Sequence, residues 1–127
     1  MQNKVIMTKD APTAIGPYSQ GIIAGNMIFV SGQLGINPKM GEMKNGFQEQ
    51  ATQSLLNLKA ILEKAGAGMQ DVVKTTVFLK DMNDFSAMNE IYKQYFTTSF
   101  PARSAIEISK LPKDGLVEVE AIAMIAK

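Results

Sequence analysis

Two stretches of this chain are apolar on both sides of a strand, and that limits the architectures open to it. Successive side chains of a strand point to opposite faces of a sheet. Ala121–Ala126 is apolar at both parities, and Met27–Val30 likewise. Such strands need cover on both faces. Only two segments with helical spacing are available to provide it. A six-stranded sheet is roughly 25–30 Å wide at ~4.8 Å per strand. Two helices of about 10–12 Å diameter cover one face of it. A partner subunit is the simplest cover for the second face, which predicts an obligate oligomer with sheet faces packed together. A twisted sheet closing partly on itself is the alternative.

The elements behind that estimate follow from local signals. Lys4–Thr8 is a short strand candidate, and Ala11–Gly16 reads as loop. Tyr18–Ala24 and Met27–Ser31 read as strands around Gly25-Asn26, a hairpin turn signal. Gly35 to Gly46, with Asn37-Pro38 and Gly41, reads as an extended loop. Phe47–Ala65 is the clearest helix. Phe47, Ala51, Leu55, Leu58, Ile61, Leu62 and Ala65 fall at three- and four-residue steps. Gln48, Gln53, Asn57, Lys59 and Glu63 take the other side, and Gly66 stops the helix. Asp71–Lys80 reads as a strand with Val73, Thr75, Val77 and Leu79 on one face. Asp81 to Asp84 offers N-caps for a second helix, which runs to about Phe96 on an inner stripe of Phe85, Met88, Tyr92 and Tyr95. Ala102–Ser109 and Val117–Ile125 are the last strands. The order β-β-β-α-β-α-β-β is an α+β pattern with a mostly antiparallel or mixed sheet.

Composition removes several chemistries. The 127 residues suit one domain, 1–127, with a substantial core. Cys and His are both absent. That excludes disulfides, thiolate nucleophiles, Ser-His-Asp triads and the common zinc sites. Polar chemistry rests on carboxylate, Arg, Lys, Tyr, Ser/Thr, backbone and water. Net charge is +1 with no basic run, so no nucleic-acid footprint is visible. No apolar stretch approaches the roughly 20 residues of a membrane span. Met1–Ile6 lacks a secretory leader pattern, which makes the cytoplasm the expected location.

Arg103 is the only arginine, against 12 lysines. Guanidinium is planar, stays charged and grips a carboxylate or phosphate with two parallel hydrogen bonds. Arg103 shares a strand face with Ala105 and Glu107. Glu107, four residues on, lies about 13 Å away at strand rise and cannot pair with it within the strand. Another strand or a ligand has to supply the anion. In the last strand, Glu118 and Glu120 share a face that continues as Ile122 and Met124. At least one of them belongs at the rim of a buried region, where a carboxylate can hold or deprotonate a water. Parity does not choose between them. Tyr18 offers a hydroxyl or packs as a half-buried tyrosine. Gly32 permits close backbone approach to a ligand, or merely a turn.

Taken together these residues resemble the RidA (YjgF-type) family of reactive-imine deaminases. The resemblance runs through Ala14-Ile15-Gly16-Pro17-Tyr18-Ser19-Gln20, Ser31-Gly32-Gln33 and Val73–Phe78. It continues in Phe100-Pro101-Ala102-Arg103-Ser104, Leu111-Pro112-Lys113 and Val117-Glu118-Val119-Glu120-Ala121-Ile122. It implies a chorismate-mutase-like α+β fold, a six-stranded mixed sheet with two helices on one face, assembled as a trimeric barrel. The homotrimer would carry sites at its subunit interfaces. It implies hydrolysis of 2-imino acids, such as 2-iminopropanoate and 2-iminobutanoate, to 2-oxo acids and ammonia. Arg103 would clamp the substrate carboxylate, and Glu118 would place the attacking water. Tyr18, Ser31, Gly32, Phe85, Asn89 and Ala105 would line the pocket. Many members carry a cysteine where this chain has Ala105; a backbone contact there leaves the reaction intact. No metal or organic cofactor is required, and no nucleic-acid or membrane partner is implied. The rival reading is a non-catalytic protein that binds a small carboxylate and reports it to a partner. RNA binding or cleavage, also attached to the family, fits poorly with the net charge and the missing histidine.

Overall fold

The elements of the chain, in a computed structural model that describes residues 3–125, follow the expected order. They are β1 (Lys4–Ile6), β2 (Gly21–Ala24), β3 (Met27–Leu34), α1 (Phe47–Lys64), β4 (Val72–Leu79), α2 (Phe85–Tyr95), β5 (Ala102–Glu107) and β6 (Val117–Met124). They form one α+β arrangement with a mixed sheet ordered β1-β2-β3-β6-β4-β5. β6 lies between β3 and β4 and is antiparallel to both. β4 and β5 are parallel, as the α2 crossover between them requires. Met1 and Gln2 of the N-terminal reading, and Ala126 of the apolar run, lie outside the described residues.

Both helices lie on one face. From β6, Val117, Val119, Ala121 and Ala123 point into the core with Leu55, Leu58, Ile61 and Leu62 of α1 and Met88 of α2. α1 ends as expected at Gly66, whose φ of 85° is the left-handed geometry glycine adopts freely. The Gly66 N–H donates to the Glu63 carbonyl and the Ala67 N–H to the Leu62 carbonyl, which together close a Schellman motif. Among the described residues, nothing packs as a layer over the opposite face of the sheet. Val5, Phe29, Ile106 and Met124 are exposed on it.

Four local expectations need correction. Asn57 is fully buried rather than on the outer side of α1. Its amide donates to the Leu34 and Ile36 carbonyls at 3.1 and 2.9 Å, satisfying backbone groups that have left the ladder. Val73 points outward and Val72 inward, because β4 shifts register against β6 between Val72 and Lys74. Thr75, Val77 and Leu79 keep the expected parity. The N-terminal strands are shorter than expected. Thr8 and Tyr18 to Gln20 belong to a loop shaped by the buried Gln20 amide, which accepts from the Thr8 N–H and donates to the Thr8, Ala11 and Pro12 carbonyls. Asp81 caps the short turn Met82–Asp84 by accepting from the Asn83 N–H, and α2 itself starts without a side-chain cap.

Candidate functional site: two half-sites on opposite sheet faces

β5 is an edge strand, and its parity turns Arg103 toward α2. Phe85, Asn89 and Tyr92 recur at helical steps and meet it from one side of α2. The Arg103 Nη1 donates to Asn89 Oδ1 at 2.9 Å. Its guanidinium carbon lies 4.9 Å from the Tyr92 ring centre and 5.3 Å from that of Phe85. Cation–π contact with two aromatic faces favours a guanidinium over an ammonium. Tyr92 is fixed in turn by a buried 2.7 Å hydrogen bond with Thr75 Oγ1. Burial pushes the Tyr92 phenol above its ordinary pKa, with the Thr75 bond and the Arg103 charge opposing.

No carboxylate among the described residues forms an ion pair with Arg103. Glu107, on the same strand face, accepts from the Met82 N–H at 2.7 Å instead. Asn89, Tyr92, Phe100, Pro101 and Arg103 wall a cleft of about 570 Å³. Ala105 is half-buried against the core margin rather than in that wall.

The second half-site faces the other way. Glu118 projects from β6 onto the open face and is half-buried, whereas Glu120 is exposed. The register of β3 against β6 shifts between Val30 and Gln33, which brings Gly32 under the Glu118 carboxyl. A Cβ at Gly32 would lie 2.7 Å from Glu118 Cδ and 2.9 Å from Oε2. An alanine there would force the Glu118 carboxyl to move, so Gly32 makes room for that side chain, a role different from the ligand approach or turn that the sequence suggested. Burial raises the Glu118 pKa first, and the Glu120 charge raises it further. This environment singles out Glu118, a choice strand parity did not make.

Tyr18, Ser31, Gly32, Lys113, Glu118 and Glu120 share a second cleft of about 570 Å³. The Ser31 hydroxyl donates to the Ser19 carbonyl at 2.6 Å, tying β3 to the loop that carries Tyr18. Tyr18 is exposed, and its hydroxyl accepts from the Ile15 N–H at 3.3 Å. Lys113 and Asp114 line or flank this cleft in left-handed conformations, which cost non-glycine residues about 1–3 kcal/mol each. A larger cleft of about 670 Å³, between β1 and the loop before β2, contains neither Arg103 nor Glu118.

The sequence-derived site residues thus fall into two groups. Arg103, Asn89 and Phe85 meet on the helix side; Tyr18, Ser31, Gly32 and Glu118 meet on the open side. Within one chain the two groups point away from each other. Sequence reasoning placed Tyr92 only in the core, and missed its stacking on Arg103. The available signal was its spacing of three residues from Asn89 and seven from Phe85. Gln20, whose amide holds the Tyr18 loop, carried no signal of its own.

Fold and clefts together define a class: an α+β sheet protein with helices on one face, an arginine beside its second helix with no ion-pair partner among the described residues, and a half-buried carboxylate on its open face. A family model described as Endoribonuclease L-PSP matches residues 8–125. The chain belongs to this family, which includes the RidA and YjgF-type proteins. It is 58% identical over 121 residues to a RutC family protein of Pyrococcus horikoshii, covering 94% of this chain and 96% of that one. It is 54% identical over 125 residues to the 2-iminobutanoate/2-iminopropanoate deaminase of Escherichia coli K12, covering 96% and 98%. The crystal structure of E. coli TdcF with bound serine superposes with a TM-score of 0.94 at 47% identity, covering 97% of this chain and 99% of that one.

Proposed function

We propose that the protein, acting as one RidA-like domain over 1–127, hydrolyses reactive 2-imino acids, 2-iminopropanoate and 2-iminobutanoate, to 2-oxo acids and ammonia. The supporting observation is the Arg103 guanidinium, in contact with two aromatic rings, with donors to spare and no carboxylate partner among the described residues. It belongs to a chain 54% identical to a 2-iminobutanoate/2-iminopropanoate deaminase. The working unit is a homotrimer in the cytoplasm. Its subunits pack their open sheet faces together, and the Arg103 cleft of one subunit meets the Glu118 cleft of the next. The exposed Val5, Phe29, Ile106 and Met124 support that packing.

Arg103 takes the substrate carboxylate in a two-bond grip. Glu118 accepts a hydrogen bond from a water and aims its oxygen at the imine carbon. The protonated C=N is already electrophilic, so orientation does most of the work. Water adds to carbon and gives a tetrahedral amino alcohol. A proton moves from oxygen to nitrogen, the C–N bond breaks, and ammonia leaves with the 2-oxo acid. The raised Glu118 pKa improves its fitness as proton acceptor, since an unperturbed carboxylate is a weak base. A metal or organic cofactor has no step to perform in this scheme.

The serine bound to TdcF favours a second reading, a sensor that binds a small amino or oxo acid without turnover. RNA cleavage, the activity in the family's description, is disfavoured by a net charge of +1. A timed assay separates them. An amino-acid oxidase generates the imine, and 2-oxo acid release is followed with and without the protein. The expected result is a large acceleration that falls on the order of a hundredfold in Arg103→Lys, because a point charge cannot make the forked grip. Near-normal turnover in Arg103→Lys would remove that role. No acceleration by the parent, with pyruvate still bound, would leave the sensor.

A further inference from the structure

Lys113 breaks a local rule. It and Asp114 have φ of 55° and 54°, the region that suits Asn or Gly. The Gly115 N–H donates to the Pro112 carbonyl at 3.1 Å and closes a turn in which both central residues are left-handed. Its surroundings hold it there. Leu111 before it and Gly115 after it are buried. The Gln50 side chain accepts from the Leu116 N–H at 2.8 Å and donates to the Lys44 carbonyl at 3.0 Å, so α1 clamps the segment. Asp114 has an exposed partner, Lys110 at 3.4 Å. Lys113 has none among the described residues, yet it lines the Glu118 cleft.

Strain persists where its surroundings over-determine it, and it gathers at ligand clamps. The same cleft wall carries two carboxylates, Glu118 and Glu120, and Lys113 is its one cation. An anion entering beside two carboxylates is repelled, and the exposed Lys113 ammonium at the wall offsets that repulsion.

We propose that Lys113 is a specificity-determining residue of the Glu118 cleft. Its left-handed turn places the lysine backbone at the wall, and the ammonium it carries admits a small monoanionic 2-imino or 2-oxo acid past the two glutamates. This deepens the imine-hydrolase reading and rests on it for the identity of the ligand.

Charge and strain separate in three variants. Lys113→Gln removes the charge and keeps the strained backbone; Lys113→Arg keeps both; Asp114→Gly relieves strain and leaves Lys113. Two readouts are taken at low and high salt: KM for the enzymatically generated imine, and Kd for pyruvate by NMR titration. Lys113→Gln is expected to raise both about tenfold, hold kcat within about twofold, and flatten their salt dependence. Lys113→Arg should restore most of the loss. Asp114→Gly should raise Tm and leave KM unchanged. A KM and Kd within twofold of the parent in Lys113→Gln overturn the charge role. An unchanged or lower Tm in Asp114→Gly overturns the strain. If the parent binds pyruvate without accelerating hydrolysis, the hydrolase reading falls and the pyruvate titration alone judges Lys113. A parent that does neither overturns both.

Discussion

The Arg103 cleft is assembled from neighbours in sequence, whereas the Glu118 cleft joins distant segments. α2 and β5 are consecutive, and the Arg103–Asn89 hydrogen bond spans 14 residues. Three side chains at helical steps on α2 contact the arginine, with Thr75 of the neighbouring strand fixing one of them. The Glu118 carboxyl instead depends on β3 pairing with β6, on a register shift at Ser31-Gly32, and on the Tyr18 loop folded back by Gln20. The cation is positioned by stacking and the carboxylate by close backbone approach. Each tolerates a different kind of damage, and neither half meets the other within a chain.

Complementation between inactive variants is the most severe trial of that separation. Arg103→Ala and Glu118→Ala should each be nearly inactive alone in the timed imine assay. Mixed, unfolded and refolded together, they should recover activity at roughly a quarter of the sites, those pairing an intact arginine half with an intact glutamate half across a subunit boundary. A mixture as inactive as its components would mean that both halves come from the same chain. The two-faced geometry would then not describe the working site.

Gly32→Ala tests the carboxylate half alone. The new Cβ would sit 2.7 Å from Glu118 Cδ, so the carboxyl has to move. Gly32 does not have a positive φ, so the backbone itself accepts alanine. Turnover should fall about 10²-fold, the scale of a 1 Å misplacement, while pyruvate binding at Arg103 changes little. Equal losses of turnover and binding would show that the halves are not separable.

The same contrast marks what could be read from the sequence. Helical and strand periodicity, with turn signals, located the strands and both long helices, and the inner residues Ala51, Leu55, Leu58, Ile61 and Leu62 expected of α1 are buried, because burial writes itself into spacing. The lone arginine was conspicuous by residue type. Asn57 and Val73 were misplaced for one shared reason: each is set by long-range backbone bookkeeping. Asn57 answers carbonyls released from β3, and Val73 follows a bulge against β6. Strand parity could not choose Glu118 over Glu120 on the same ground, and only the family resemblance did, since the Gly32 approach that accompanies the Glu118 burial is a register fact. Local chemistry is legible where residues near in sequence make the contact. Tyr92 shows a limit even there, since a core tyrosine and a stacking platform have the same spacing.

The acid limb of the pH profile sharpens the carboxylate side further. In the proposed reaction Glu118 acts as a carboxylate, and burial and Glu120 both raise its pKa. Activity should therefore fall from a pH above the ordinary glutamate range as the solution is acidified. Stability moves in the opposite sense. A raised folded-state pKa contributes stability that is present below the unfolded value and lost as pH rises through the folded one. Glu118→Gln should then abolish most turnover yet leave the protein no less stable at neutral pH. Glu120→Gln removes only the like charge, so it should keep turnover and move the acid limb of kcat/KM to lower pH. A limb that stays in place would assign the shift to burial alone.

The smallest expected effect concerns the arginine half. Tyr92→Phe keeps the ring under Arg103 but deletes the hydroxyl bonded to the buried Thr75 Oγ1. An unpaired buried hydroxyl costs about 1–3 kcal/mol. Thermal unfolding should therefore shift down by a few degrees while imine turnover stays near that of the parent. Adding Thr75→Val removes the orphaned partner and should recover part of the loss. Tyr92→Leu removes the ring as well, so it should lower kcat/KM through a loosened guanidinium. Turnover in Tyr92→Phe as poor as in Tyr92→Leu would mean that the hydroxyl, through Thr75 opposite Arg103 in the β4–β5 register, sets the arginine. The cation would then depend on sheet register as the carboxylate does, and the two halves would be built alike.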